Sequence, residues 1–199
     1  MNLIPIEGGV CAAKGFQAAG VHCGIRKNRS KKDLALIYSQ TECAVACTYT
    51  QNKVFGAPIT VTRKHVANGK AKAIICNSGN ANTCNANGVE IAEKTCALAA
   101  EALGISAEDV VVASTGVIGQ PLSIEPIAAG LPVLVSQLST QGSTDACEGI
   151  MTTDTYPKEC AYAFSLEGVE CHIGAIAKGS GMIHPNMATM PAFITTDAA

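Results

Sequence analysis

Charge is scarce in this sequence: Asp, Glu, Lys and Arg make up 15% of its 199 residues, against about 25% in typical soluble domains. With 48% apolar residues, that scarcity leads us to expect part of the surface to lie under another chain. A net charge of −2 at pH 7 provides no field for a phosphate backbone, so nucleic acid is not an expected partner. The basic run from Arg26 to Lys32 reads as a solvated loop. No apolar run approaches the roughly 18 residues of a spanning helix. Residues 1–9 lack the basic start and apolar middle of a secretory signal, so we expect a cytoplasmic protein away from membranes.

Metal-binding and nucleotide signatures are missing as well. The ten cysteines include no C-x-x-C pair, and Cys43 with Cys47 has no second ligand pair at metal spacing; reduced, structural thiols and no metal are expected. No G-x-x-x-x-G-K-[ST] and no dinucleotide glycine pattern occurs, so neither a phosphate site nor a bound cofactor is expected.

What remains is a mixture of strand and helix signals. Residues 33–39, 44–49, 71–77, 110–114, 161–166 and 169–177 read as strands, the last two joined by Glu167-Gly168, a two-residue hairpin signal. The best helix is 89–103, with Ile91, Thr95, Leu98 and Ala102 on one face and Gly104 as its stop. Shorter helices are predicted over 58–66, 123–130 and 145–150. Strands and helices do not alternate cleanly, which predicts an α+β or layered α/β fold in a single domain, 1–199.

Two strand exits, Asn77-Ser78-Gly79-Asn80-Ala81-Asn82 and Ser114-Thr115-Gly116-Val117-Ile118-Gly119, could aim backbone N–H groups at a developing negative charge, although the spacing alone fits ordinary glycine turns. A third segment runs from Lys178-Gly179-Ser180-Gly181-Met182 to Pro185-Asn186-Met187-Ala188-Thr189-Met190. Together with Lys14-Gly15-Phe16, Asp33-Leu34-Ala35-Leu36, Met151-Thr152-Thr153-Asp154-Thr155 and Phe193-Ile194-Thr195-Thr196-Asp197-Ala198, these motifs are collinear with, and resemble, the ornithine acetyltransferase family.

That resemblance implies stacked β-sheets covered by helices in a self-processing, N-terminal-nucleophile-like architecture. It implies a precursor cut between Ala188 and Thr189, with this chain forming the N-terminal half, completed by a C-terminal β chain in an assembly of two α and two β chains. Thr189 would then be the nucleophile. Its hydroxyl needs a base, and the α-amino group freed by cleavage, with a pKa of about 7.7 to 8.0, can serve. By the same resemblance Thr115 and Gly116 form the oxyanion hole, Lys178 holds a substrate carboxylate, and Thr153 and Thr155 line the pocket or cap the turn at Asp154. The implied substrates are N2-acetylornithine and glutamate; acetyl-CoA as a second donor is left open.

His22, His65, His172 and His184 play no part in the family's chemistry. His65 and His172 read as structural, and a His184–Thr189 dyad is the less favoured source of a base. Pro191 departs from the larger aliphatic residue more usual after the Thr-Met pair, and residues 83–87 depart from the usual wording. Two rival readings stand: a self-processing aminopeptidase of related fold, and a catalytically inactive assembly subunit.

Overall fold

The computed structural model describes residues 2–179 and 190–198. Two four-stranded sheets carry the fold. The first, in order β1-β6-β7-β8, is antiparallel throughout and comprises β1 (Ile4–Ile6), β6 (Lys158–Leu166), β7 (Val169–Ala177) and β8 (Ala192–Thr196). The second, in order β2-β3-β4-β5, comprises β2 (Phe16–Val21), β3 (Leu34–Ala44), β4 (Lys70–Asn80) and β5 (Val110–Val117). Its β4 and β5 are parallel, joined by a crossover through α2 (Gly88–Leu103).

Period-two alternation divides the second sheet between two cores. Leu34, Leu36, Ala73, Ile75, Val110 and Val112 pack under α1 (Ala57–His65), α2 and α3 (Glu125–Ser136). Ala18, Ala35, Ile37 and Cys76 point the other way, toward Cys147 and Ile150 of α4 (Ser143–Ile150) and Ile176 of β7. The layers therefore run helices, sheet, then α4 with the first sheet, in agreement with the expected stacked sheets covered by helices. β2 reads weakly as a strand because it is built for close approach: a Cβ on Gly20 would sit 1.9 Å from the Asp145 carbonyl oxygen at the start of α4.

Local signals hold where they are strongest. Glu167 and Gly168 have φ of 51° and 84°, the doubly positive pair of a type I′ hairpin turn. Gly104 has φ 67°, and Ile105 N–H donates to Ala100 O at 3.0 Å, closing α2 in a Schellman motif. The buried face of α2 is Ile91, Ala92, Thr95, Cys96, Ala99 and Ala100; Leu98 packs at its margin, but Ala102 is exposed, off the predicted stripe.

Two expectations need correction. Residues 45–49 form no strand, because β3 runs through Ala44 and its partner β4 begins at Lys70 after the left-handed Gly69; one further bond, Val45 N–H to Gly69 O, ends the pairing. The helix predicted over 123–130 starts at Glu125 and continues through Gly130 and Pro132 to Ser136. Burial of Leu131 and Leu134 outweighs the hydrogen bond that proline removes.

Candidate active site

The ends of β4 and β5 build one wall of the site. Asparagines do the backbone's hydrogen bonding there: Asn77 Nδ2 donates to Asn80 O (2.9 Å), Ser114 Oγ to Asn77 Oδ1 (2.6 Å), and Asn80 Nδ2 to Gln120 O (3.0 Å). This is why so polar a stretch can be buried. The two strand exits touch backbone to backbone, for Gly79 pairs with Gly116, and a Cβ on Gly116 (φ 135°) would lie 2.3 Å from the Gly79 carbonyl carbon. Glycine is thus sterically required at 116. Thr115 is buried and in register with Ser78. Ser78 is fully buried, yet among the described residues its Oγ has no hydrogen-bond partner. Paired residues of parallel strands share a face, so both hydroxyls point toward α4 and β7 rather than toward α1–α3.

The opposite wall is the turn after α4. The Asp154 carboxylate is 0% exposed and accepts from Gly179 N–H (2.6 Å), Lys158 Nζ (2.7 Å) and Thr152 N–H (3.2 Å). Burial raises its pKa, but Lys158 and the two amides outweigh that and hold it below the usual carboxylate range. Asp154 therefore ties the turn to the exit of β7. Thr153 and Thr155 are both exposed on this turn, and neither side chain makes a hydrogen bond among the described residues, so the capping role falls to Asp154 itself.

Lys178 follows β7 between these walls. Its backbone N–H donates to Pro191 O at 3.0 Å, so the strand pairing of β7 with β8 extends beyond Ala177–Ala192. Proline at 191 keeps the one group that this bond requires, its carbonyl. Lys178 as a whole is 5% exposed. Burial lowers its pKa, with Asp154 and the Cys76 thiol opposing and the Arg26 charge adding to the fall. Cys76, fully buried on β4, has its own pKa pushed up to about 12 by burial, with Lys178 opposing.

Arg26, missed in the sequence, joins the walls. Its Nη2 donates to Thr152 O at 3.2 Å, and its stem lies over Gly79. The backbone at Arg26 is fixed from behind by Asp33, a 0% exposed carboxylate that accepts from the N–H groups of Cys23 (2.6 Å), Gly24 (3.3 Å) and Arg26 (2.8 Å). The basic run is therefore not uniformly a solvated loop. Lys27 and Arg29 are exposed, whereas Arg26 is half-buried and Lys32 pairs with Asp145 and with Glu148 (2.9 Å).

The three described histidines are tied up elsewhere. His65 Nδ1 donates to Val110 O (2.8 Å), His172 Nδ1 to Asp197 Oδ2 (2.8 Å), and His22 Nδ1 lies 2.9 Å from Lys31 O. Ala188, Thr189 and His184 lie outside the described residues. A shallow groove lined by Tyr156, Lys158, Cys160, Ala175 and Ala177 opens on the outer face of the first sheet; it includes none of Thr115, Gly116 and Lys178. Among the described residues no cluster of three or more His, Cys, Asp or Glu could hold a metal ion, and no helix is long and apolar enough to cross a membrane.

The ArgJ family model matches residues 17–199. The arginine biosynthesis bifunctional protein ArgJ of Symbiobacterium thermophilum is 50% identical over 196 residues, covering 98% of this chain and 49% of that protein. The Bacillus subtilis protein of the same name is 47% identical over 200 residues, covering 100% and 48%. The chain therefore spans about half the length of the curated relatives it matches. Among solved structures, the ArgJ protein of Bacillus halodurans superposes with a TM-score of 0.87 at 39% identity, covering 96% of this chain and 98% of that one. The Mycobacterium tuberculosis ornithine acetyltransferase complexed with ornithine gives 0.82 at 34%, covering 92% and 98%. A family model spanning nearly the whole chain, with close relatives in both sequence and fold, establishes that this protein belongs to the ArgJ family.

Proposed function

We propose that this chain is the N-terminal half of an acetyltransferase of arginine biosynthesis, a single domain over 1–199 whose residues from Thr189 onward become, on cleavage, the start of the C-terminal chain that completes the enzyme. It moves an acetyl group from N2-acetylornithine to glutamate through an ester on Thr189. The observation that carries the reading is the convergence of the Gly79–Gly116 turn, the Thr152–Asp154 turn and Lys178 at the start of the 178–191 segment. A solved relative, the Mycobacterium tuberculosis protein, is an ornithine acetyltransferase with ornithine bound.

In the precursor, the Thr189 hydroxyl adds to the Ala188 carbonyl. The C–N bond breaks and the acyl group moves to oxygen. Water then hydrolyses that ester, leaving a carboxylate on Ala188 and a free α-amine on Thr189. In the transfer, this amine takes the hydroxyl proton as the oxygen attacks the acetyl carbonyl of N2-acetylornithine, and returns it to the departing ornithine amine. Thr115 and Gly116 stabilise the oxyanion, a donor set in which each member is typically worth about 3 kcal/mol of barrier. Glutamate's amine next attacks the acetyl ester and the Thr189 hydroxyl is restored. Lys178 holds the α-carboxylate that both substrates share, and Thr153 and Thr155 lie on the turn beside it.

Both half-reactions are acyl transfers among amide, ester and amine, so no bound cofactor is required. Acetyl-CoA, a thioester, would acylate the same oxygen as an alternative donor. Two observations support a divided precursor. β8 and Asp197 stay anchored by β7, by Lys14 N–H (2.9 Å) and by His172 N–H (2.6 Å), so a cut before Thr189 would not release the new N-terminus. The chain also matches 98% of two solved relatives' chains but only 49% and 48% of two curated relatives' lengths, as expected where such precursors are divided in two. The proposal includes two copies of each chain and a cytoplasmic location.

The test is the full-length precursor and its Thr189→Ala variant. Intact mass should show two fragments divided at 188/189 for the first and one uncut chain for the second, with acetyl exchange between N2-acetylornithine and glutamate only in the first. Normal cleavage in the variant, or a cut protein with no exchange, would overturn the proposal.

A further inference from the structure

Arg26 is held on three sides. Its backbone N–H is fixed by the buried Asp33 carboxylate at 2.8 Å. Its stem is pressed so closely on Gly79 that a Cβ there would lie 2.8 Å from Cγ. Its head donates from Nη2 to Thr152 O at 3.2 Å. A guanidinium carries five N–H donors, and this is its one side-chain hydrogen bond among the described residues. The nearby acid Asp154 does not neutralise it, because that carboxylate is engaged by Lys158, Gly179 N–H and Thr152 N–H. Arg26 and Lys178 therefore give this half of the site a positive excess, with the stem of Arg26 on Gly79 and its planar fork at Thr152 O.

The two amino acids of the proposed exchange share an α-carboxylate and differ at the far end, where ornithine carries an ammonium and glutamate a second carboxylate. One cation suffices for the shared group; glutamate alone brings work for another. Resting on the acetyl-transfer reading above, we infer that Arg26 binds the side-chain carboxylate of the acceptor glutamate, and so sets acceptor specificity in the second half-reaction. Arginine suits this better than lysine, since its fork meets a carboxylate with two parallel bonds.

The experiment uses the full-length processed enzyme. Thr189 is loaded with labelled acetyl from N2-acetylornithine, and discharge is timed with glutamate, glutamine or ornithine as acceptor. In Arg26→Gln, any loss that comes only from the missing tie to Thr152 O is read from loading and from discharge to ornithine, and the test is the ratio of the two acceptors. Discharge to glutamate should slow on the order of 10- to 100-fold, the worth of hydrogen bonds to a charged group, and the preference for glutamate over glutamine should collapse. Arg26→Lys, which keeps the charge without the fork, should lower the glutamate-to-ornithine ratio by a smaller factor, and it decides the matter if Arg26→Gln does not fold. Equal slowing with glutamate and ornithine would make Arg26 a brace between the turns and overturn the inference, as would an unchanged ratio in both variants. A wild type that takes no acetyl from N2-acetylornithine would overturn the acetyl-transfer reading and this inference with it.

Discussion

Replacing Asp154 with asparagine keeps the shape of the side chain and removes its charge. The wild-type carboxylate is 0% exposed and accepts three hydrogen bonds, from Gly179, Lys158 and Thr152. An amide keeps one acceptor oxygen, so at least one of the three is lost and the others weaken from charged to neutral bonds. Charged hydrogen bonds are worth about 1.5–3 kcal/mol each and neutral ones about 1. The Lys158 side chain is 34% exposed and can turn to water, which keeps the loss below that of a wholly buried pair. We expect Asp154→Asn to lose about 2–3 kcal/mol and to lower Tm accordingly. The pH dependence gives a second check. The folded pKa of Asp154 lies below its ordinary value, so its contribution is complete above the unfolded value near 3.9 and is lost as pH falls through the lower folded one. Thermal unfolding of both full-length proteins over a pH series should show a gap that is constant near neutrality and narrows in acid. An unchanged Tm at pH 7, or a gap that persists undiminished in acid, would refute this account of Asp154 as the charged tie between the turn and the exit of β7.

Gly116→Ala should abolish transfer and lower Tm, because its Cβ would meet the Gly79 carbonyl carbon at 2.3 Å in a φ of 135° that L-residues avoid; a variant with normal activity would contradict the steric argument. Ser78→Ala removes a buried hydroxyl that has no partner among the described residues, so Tm should stay level or rise slightly, the opposite of the loss of about 1 kcal/mol that deleting a satisfied hydrogen bond brings; differential scanning calorimetry decides. Asp197→Asn should loosen the hold on β8, since this carboxylate accepts from Lys14 N–H and from His172 N–H and Nδ1–H. Burial raises its pKa but those donors lower it on balance, so the stabilisation should be present above about pH 4 and fade in acid, as urea titrations of wild type and variant would show.

Much of the fold was legible in local chemistry. The hairpin at Glu167-Gly168 and the stop at Gly104 depend on dihedrals that few residues tolerate, and the residue types announce them. β2 was not legible, because Ala18 and Gly20 are small to admit α4, a demand made by residues more than a hundred positions away. The end of β3 was misjudged for a similar reason: the alternation continues past Ala44, but the partner strand does not. In the site, the glycine and asparagine exits and Lys178 were singled out by motif. Arg26 was hidden among other basic residues, and only the fold reveals that a buried Asp33 turns it toward Gly79 and Thr152. The two threonines on the Asp154 turn looked alike in sequence and remain alike in exposure.

The central claim, that the hydroxyl of Thr189 carries the acetyl group, is tested most directly by mixing the processed enzyme with labelled N2-acetylornithine in the absence of glutamate, quenching in acid, and mapping the label by peptide mass spectrometry. The account predicts one acetyl group on the peptide that begins at Thr189, removed when glutamate is added. Label on any other residue, or none in an enzyme that still exchanges acetyl groups, would contradict it.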